Sequence, residues 1–369
     1  MASQDLSEDK RLDPRQLPLL QMLASMKGKN KPRALEDITK SHEELIKLVN
    51  SDKAKPILQM VEAQMMNGTP MHNKLAPKDG LDIQEGWFTS HPDNNKVRYI
   101  LIRPTSSETL PCVVYFHGGG MVQGSCFYSH YRAFGRLIAH SGVCVCLVDF
   151  RNALIPGLIG DKHAEFSSGQ VKAYPGGLND CVSSIGWLRS QSSSFNIDSS
   201  RIVLAGESGG GNLAIATALK LQKSGHGSSI AGIYALCPFI LGNYPDKRFS
   251  STIENNGIML SLDGSAPHLY GIEAYKRKDC LAWPIFAKLE DLENLPRVFV
   301  SLNECDPLRD EGLEFYRKCL AAGVSTQCRI VAGTAHGGEL FFTMPEVTVE
   351  AARSIAHFAT GAAYQHCKL

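Results

Sequence analysis

The chain has 369 residues, of which 43% are hydrophobic and 20% are charged, a composition typical of a globular protein with a large buried core. Its 38 Lys and Arg residues and 37 Asp and Glu residues give a formal net charge of +1, which argues against a nucleic-acid-binding surface. No apolar run approaches the roughly 18 to 20 residues that cross a bilayer, and no secretory signal is visible, so we expect a cytoplasmic protein without a membrane span.

Residues 1–80 differ in character from the rest of the chain and show a helical pattern. Apolar side chains recur at three- and four-residue steps over 17–26 and again over 45–65. Two prolines interrupt this pattern, which therefore predicts several short helices. Such a Leu- and Met-rich face is more often buried core than a lid over a ligand, so we expect it to be buried.

From residue 86 onward, apolar strand patterns alternate with helical patterns. The predicted strands cover about 86–90, 97–102, 112–116, 143–149, 202–205, 230–236, 297–302 and 328–331. The predicted helices cover about 131–140, 178–188, 212–223, 310–322 and 347–359. This alternation predicts an α/β fold with a mostly parallel sheet that is covered by helices on both faces.

Two connections are longer than the others. Residues 242–282 are rich in turn formers and aromatic side chains, which indicates an excursion above the sheet. Residues 152–174 form a second long link. Connections of this length inside a domain usually have a function or a structure of their own.

Gly206, Ser208 and Gly210 form a G-x-S-x-G pattern between the predicted strand 202–205 and helix 212–223. This pattern places a serine on a sharp strand-to-helix turn, where its hydroxyl is exposed at the sheet edge. A glycine-rich turn without a catalytic role remains the alternative for the pattern taken alone.

The motif His117-Gly-Gly-Gly120 directly follows the predicted strand 112–116. It has the form and position of the oxyanion-binding motif of lipases and esterases. A phosphate-binding loop would need a continuation that is missing here. We expect His117 to shape the loop rather than to act as a catalytic base.

An activated serine needs a base and an acid that orients the base. His336 lies in a glycine-flanked loop after the last predicted strand, and Asp306 lies just beyond strand 297–302. The chain order Ser208, Asp306, His336 is the order that this type of site requires. Asp310 is the rival acid, but it has the position of a residue that caps a helix.

The eleven cysteines are odd in number, and their spacing forms neither a disulfide framework nor a paired C-x-x-C metal site. Buried free thiols are the better interpretation. We expect neither a metal nor another cofactor.

Together, the motifs resemble those of the hormone-sensitive-lipase-like family of α/β-hydrolases, the family IV esterases. The likeness rests on His117-Gly-Gly-Gly120, Gly206-Glu-Ser-Gly-Gly-Gly-Asn-Leu-Ala214, Asp306-Pro-Leu-Arg-Asp-Glu311 and His336-Gly337, and it runs from about residue 85 to the C-terminus. It implies a serine carboxylesterase for short- to medium-chain esters, acting through an acyl-enzyme. Its nucleophile would be Ser208, its base His336 and its orienting acid Asp306, and the oxyanion donors would be the amides of Gly118, Gly119 and Gly209.

The resemblance also implies a helical cap over a catalytic domain of residues 81–369. The cap would consist of residues 1–80 and the 242–282 excursion. The chain departs from the family pattern at Glu207, where Asp or Thr is usual, and at Gly209, where Ala is usual. An amidase, a lactonase or a deacetylase would use the same machinery, and a non-catalytic small-molecule receptor can have the same fold. A homodimer stays open.

Overall fold

The computed structural model describes residue 6 and residues 9–26, 41–157 and 171–361 of the chain. The middle of the predicted 152–174 link, residues 158–170, lies outside the described residues. The strands of the described part are β1 (Leu81–Thr89), β2 (Lys96–Pro104), β3 (Leu110–Phe116), β4 (Cys144–Asp149), β5 (Ile197–Glu207), β6 (Gly232–Leu236), β7 (Arg297–Asn303) and β8 (Thr326–Val331).

These strands form one sheet in the order β1-β2-β4-β3-β5-β6-β7-β8. The strand β2 pairs antiparallel with both β1 and β4. From β4 through β3 to β8 all neighbouring pairs are parallel. The carboxyl ends of the parallel strands therefore meet at one edge, where open α/β sheets place their sites.

The helices of the described part are α1 (Leu17–Met26), α2 (His42–Val49), α3 (Ala54–Met66), α4 (Pro70–Leu75), α5 (Ser129–Ala139), α6 (Gly176–Ser190), α7 (Gly209–Lys223), α8 (Ser251–Glu254), α9 (Ala266–Tyr270), α10 (Ile272–Lys276), α11 (Leu289–Leu292), α12 (Arg309–Ala321) and α13 (Pro345–Thr360). No helix in this part of the chain combines the length and the apolar character that crossing a bilayer requires.

The strand β3 shows how the sheet is covered on both faces. Its alternate side chains point to opposite faces. Val113 and Tyr115 enter the core formed with α5 and α13, whereas Val114 and Phe116 enter the core formed with α6, α7 and α12. Every residue of β3 is buried, as expected for a central strand. The predicted fold class is confirmed.

The N-terminal helices are present as predicted, but the expected burial of their apolar face is only partly correct. Leu20 in α1 is buried in a small cluster with Met259 and Ala335. On α3, in contrast, Ile57 is 59% exposed and Met60 is 55% exposed. The helical period of α3 was therefore a reliable signal for a helix, but it did not indicate a packed face.

The excursion after β6 contacts segments that follow the carboxyl ends of the strands. Asn255 donates from its side-chain amide to the backbone carbonyl of Asp306 at 3.1 Å. Asn212 at the start of α7 donates to the backbone carbonyl of Ala282 at 3.0 Å. The excursion is thus hydrogen-bonded at one interior point and at its C-terminal end to segments at the edge of the sheet where the predicted site residues lie.

Candidate active site

Ser208 occupies the sharp turn between β5 and α7. Its backbone has φ 57° and ψ −119°, a region that non-glycine residues rarely adopt and that costs conformational energy. The turn is held to the end of β6, because the Ser208 N–H donates to the Leu236 carbonyl and the Ser208 carbonyl accepts from the Phe239 N–H, both at 2.9 Å. The hydroxyl forms no hydrogen bond with another described residue.

The glycines around Ser208 are required by close backbone packing. A Cβ at Gly210 would lie 2.0 Å from the carbonyl oxygen of Phe116, at the end of the neighbouring strand. A Cβ at Gly206 would lie 2.5 Å from the carbonyl carbon of Gly210. The G-x-S-x-G pattern therefore follows from the contact of the turn with itself and with β3.

His336 and Asp306 form a buried pair at the same edge. Asp306 follows β7 and His336 follows the adjacent β8, so the sheet order brings them together. His336 Nδ1 lies 2.8 Å from Asp306 Oδ2, and Asp306 Oδ1 accepts the Leu308 N–H at 2.9 Å. A carboxylate can only accept, so Nδ1 carries the proton and Nε2 is left as the proton acceptor.

The surroundings of His336 favour its protonated form. Burial lowers the pKa of His336, but the charge and hydrogen bond of Asp306 outweigh this effect, and the pKa is raised above its ordinary value. The carboxyl groups of Glu207 and Glu339 act in the same direction. An imidazolium that forms here during a reaction is therefore stabilised by its neighbours.

Asp310, the rival acid, is not part of this pair. It accepts the Ser251 N–H at 2.8 Å and a hydrogen bond from Arg309 Nε at 2.9 Å. Its carboxylate thus connects α12 to the excursion.

The loop after β3 corrects one predicted site residue. The N–H of Gly118 donates to the hydroxyl of Tyr131 at 2.9 Å, so it is not available as an oxyanion donor. The amides of Gly119 and Gly120 donate to no acceptor among the described residues. Gly120 also lies beside the Ser208 turn, because a Cβ at Gly209 would be 2.7 Å from the Gly120 nitrogen.

Known proteins resemble this chain over most of its length. A sequence profile described as alpha/beta hydrolase fold matches residues 171–340, and a second, described as BD-FAE, matches residues 99–235. An arylesterase from Saccharolobus solfataricus is 31% identical over 229 residues, which are 61% of this chain and 67% of that protein.

Solved structures give the same result. Esterase Est22, solved with p-nitrophenol, is 43% identical with a TM-score of 0.87, and the match covers 97% of this chain and 100% of that one. Brefeldin A esterase, described as a bacterial homologue of human hormone-sensitive lipase, is 29% identical with a TM-score of 0.78, covering 96% and 94%. The chain belongs to the hormone-sensitive-lipase-like family of α/β-hydrolases. The resemblance seen in the sequence is confirmed, and this family IV esterase is a carboxylic ester hydrolase.

His117 has the surroundings of a loop-shaping residue in this esterase. Its ring is buried and stacked on Phe150 with ring centroids 4.1 Å apart, and its Nδ1 lies 2.7 Å from the carbonyl of Gly118. Burial lowers the pKa of His117 to about 4, so the ring is neutral at pH 7. These contacts agree with the role expected from the sequence.

One group of residues in the described part has the atoms to hold a metal: Cys237, Asp306 and His336, whose candidate ligand atoms lie within 4.8 Å of one another. Asp306 and His336 are already hydrogen-bonded to each other. Burial raises the pKa of the Cys237 thiol well above its ordinary value, which opposes the thiolate that a metal would need. The set fits a hydrogen-bonded dyad better than a metal centre.

Sequence reasoning missed two groups that contact the site. Gln16 accepts the Ala335 N–H at 3.0 Å and donates to the Gly333 carbonyl at 2.5 Å, which ties the N-terminal segment to the His336 loop. Tyr131 contacts Gly118, as described above. No sequence motif marks either residue. The unusual Glu207, whose carboxyl group accepts a hydrogen bond from the Tyr131 hydroxyl, is the feature of the sequence that could point to Tyr131.

Proposed function

We propose that the chain is a serine carboxylesterase that hydrolyses short- to medium-chain carboxylic esters of small molecules, with Ser208 as nucleophile, His336 as base and Asp306 as orienting acid. The observation that carries the proposal is the 2.8 Å bond between His336 Nδ1 and Asp306 Oδ2, at the sheet edge where the strained Ser208 turn ends. Family membership supports the same reaction.

The reaction proceeds in two acyl-transfer steps. His336 Nε2 takes the proton of Ser208 while Oγ attacks the ester carbonyl carbon, and His336 then gives this proton to the leaving alcohol as the carbon–oxygen bond breaks. A water molecule next loses a proton to His336 and attacks the acyl-enzyme. The acid product leaves, and the proton returns to Ser208.

The oxyanion donors in this proposal are the amides of Gly119, Gly120 and Gly209. Gly119 and Gly120 have backbone φ of 101° and 64°, which glycine adopts without strain. Gly209 is the first residue of α7, so its N–H has no intrahelical acceptor and the helix dipole adds positive potential there. These groups favour the negative charge that develops during attack.

We also propose that residues 1–80 and the 242–282 excursion form a cap over the catalytic domain of residues 81–369. The contacts of Gln16 with the His336 loop and of Asn255 with Asp306 support this arrangement. A cap of this kind would set the length of the acyl chain that fits. A homodimer and a cytoplasmic location stay predictions.

The test is hydrolysis of a p-nitrophenyl ester series from acetyl to palmitoyl, with the wild type, Ser208→Ala and the matched control Ser190→Ala at an exposed position. We expect turnover of the shorter esters, loss of turnover in Ser208→Ala and full activity in Ser190→Ala. A folded wild type that is inactive on every ester would contradict the proposal. Anilide, lactone and acetyl-lysine substrates in the same assay test the amidase, lactonase and deacetylase alternatives.

A further inference from the structure

A buried carboxyl group lies directly beneath the oxyanion loop. Glu207, the last residue of β5, accepts the hydroxyl of Tyr131 at Oε1 at 2.5 Å and the hydroxyl of Tyr115 at Oε2 at 3.3 Å. A Cβ at Gly118 would lie 1.9 Å from Glu207 Oε1. The carboxyl group is thus packed against the backbone of the first glycine of the loop.

The hydrogen bonds form a chain with a fixed direction. An ionised carboxylate only accepts, so the single hydroxyl proton of Tyr131 is used towards Glu207. The lone pairs of the same Tyr131 oxygen are then left for the Gly118 N–H, which donates to it at 2.9 Å. Glu207 therefore fixes the orientation of the tyrosine hydroxyl, and the hydroxyl fixes the backbone of Gly118.

The position of Gly118 controls the two amides that follow it. Gly119 and Gly120 adopt positive φ, and no described acceptor holds their N–H groups in place. The Gly119 carbonyl is held from the other side, because it accepts the N–H groups of Val122 and Gln123 at 3.1 and 3.2 Å. The loop is thus fixed at its start by Tyr131 and in its middle by its own turn.

We propose that Glu207 is a positioning residue for the reaction: through Tyr131 it holds Gly118 and so sets where the Gly119 and Gly120 amides meet the oxyanion. This inference rests on the proposed acyl-transfer site. It also gives a physical role to the glutamate that departs from the usual family pattern beside the nucleophile. An N–H group that is displaced from this position stabilises the oxyanion less, because oxyanion stabilisation depends on donors that are already in place.

The charge of Glu207 is sensitive to its surroundings. Burial raises the pKa of Glu207 to about 7, although the hydrogen bond from Tyr131 and the charge of His336 act in the opposite direction. Tyr115 also donates to it, and the Cys237 thiol is a further titratable group near Glu207. A protonated Glu207 carries an O–H that can donate to Tyr131, and this reversal competes with the Gly118 N–H for the tyrosine oxygen.

The experiment uses Glu207→Gln and Tyr131→Phe in the full chain, with p-nitrophenyl acetate as substrate and a trifluoromethyl ketone as inhibitor. We expect each variant to lower kcat about 10-fold with KM within about twofold, a smaller loss than the roughly 10²- to 10³-fold for a whole oxyanion donor. The inhibition constant of the ketone should rise in parallel, since its hemiketal oxygen occupies the same donors. The double variant should lose no more than either single one, because both residues belong to one chain.

Tyr115→Phe is the matched control. It removes the other tyrosine hydroxyl on Glu207 but leaves the Gly118 contact in place, so kcat should change by less than about twofold. If kcat of folded Glu207→Gln and Tyr131→Phe stays at the wild-type level, or falls while the inhibition constant is unchanged, the inference is wrong. Should one variant fail to fold, the other decides with the same readouts. An inactive wild type or an active Ser208→Ala would instead contradict the proposed function.

Discussion

Asp306 and Asp310 are four residues apart in the chain but bind different partners: Asp306 accepts from His336 Nδ1 at 2.8 Å, and Asp310 accepts the N–H of Ser251, also at 2.8 Å. The first interaction joins two residues of the proposed active site. The second joins α12 to the excursion. Replacing each carboxylate by an amide therefore separates a catalytic effect from a structural one.

We expect Asp306→Asn to lower kcat by about 10⁴-fold, because the amide favours the wrong tautomer of His336 while its shape is kept. Asp310→Asn should retain kcat within a few-fold and mainly lower the melting temperature. Steady-state kinetics and circular dichroism of both variants check this expectation. Equal losses of kcat in the two variants would show that Asp306 is not the acid that orients His336.

The pH dependence of kcat/KM should reflect the proposed base His336, which must be neutral to accept a proton. The pKa of His336 is raised, because Asp306 and the nearby carboxylates outweigh the effect of burial. Activity should therefore be lost on acidification with a midpoint above 6.5, the ordinary value for histidine. A pH profile of kcat/KM for a p-nitrophenyl ester measures this midpoint. A midpoint at or below 6.5 would show that burial dominates.

Gly209→Ala should lower kcat about tenfold or more, because small displacements at a reacting centre are costly. The added Cβ would lie 2.5 Å from the Met121 nitrogen, which is backbone and cannot rotate away, so the oxyanion loop must shift. Gly186→Ala in α6 is the matched control, since a Cβ there meets nothing within 4 Å and alanine favours a helix. Wild-type kcat in Gly209→Ala would mean that the loop tolerates the shift.

Glu311 links α12 to the segment after β6 and should make stability depend on pH. It is fully buried and accepts the N–H groups of Ile240 and Leu241 and the hydroxyl of Tyr244. Burial raises the pKa of Glu311 from 4.5 to about 8. A raised carboxyl pKa contributes stability that is present below 4.5 and is lost as the pH rises towards 8.

Glu311→Gln should therefore gain stability relative to the wild type as the pH rises from 5 to 8, by at most about 1.4 kcal/mol per pH unit. Denaturant unfolding at several pH values measures the difference. Glu314→Gln, on the same helix but partly exposed, controls for a general effect of charge. A constant difference between Glu311→Gln and the wild type across this range would contradict the expected linkage.

Gln16→Ala should lower both kcat and the melting temperature, because it removes the two hydrogen bonds that hold the His336 loop. A buried donor or acceptor left without a partner usually lowers the free energy of unfolding by about 1 to 3 kcal/mol. Gln64→Ala, at an exposed position of α3, is the control and should behave like the wild type. If Gln16→Ala melts lower but keeps its kcat, the N-terminal segment stabilises the fold without positioning the base.

The parts of the fold that the sequence predicted well are those with local signals. The buried runs of β3 and β4 and the glycines around Ser208 follow from neighbouring residues, and the order of the chain places Asp306 and His336 at one sheet edge. Strand ends were less accurate, since β5 begins at Ile197 rather than near residue 202. That first part of β5 pairs with Leu110 across an irregular register, which has no local pattern.

Two expectations are wrong at positions where the tertiary neighbours decide the outcome. The resemblance implies Gly118 as an oxyanion donor, but its N–H donates to the hydroxyl of Tyr131 in α5, a partner that the motif does not reveal. The exposed Ile57 and Met60 have the spacing of a buried helix face, but spacing does not say whether a partner lies opposite. Both errors concern which tertiary neighbour is present, and periodicity cannot supply that information.

The two hydrogen bonds between Gln16 and the His336 loop join parts of the chain that are synthesised at different times. The partners of Gln16 in these hydrogen bonds, Gly333 and Ala335, lie 317 and 319 positions further along the chain. Gln16 is therefore synthesised long before the loop that it holds, and a contact of such high sequence separation costs chain entropy before it can stabilise the fold. Gln16 therefore cannot reach its hydrogen-bonding partners until β8 and the loop that follows it have been synthesised.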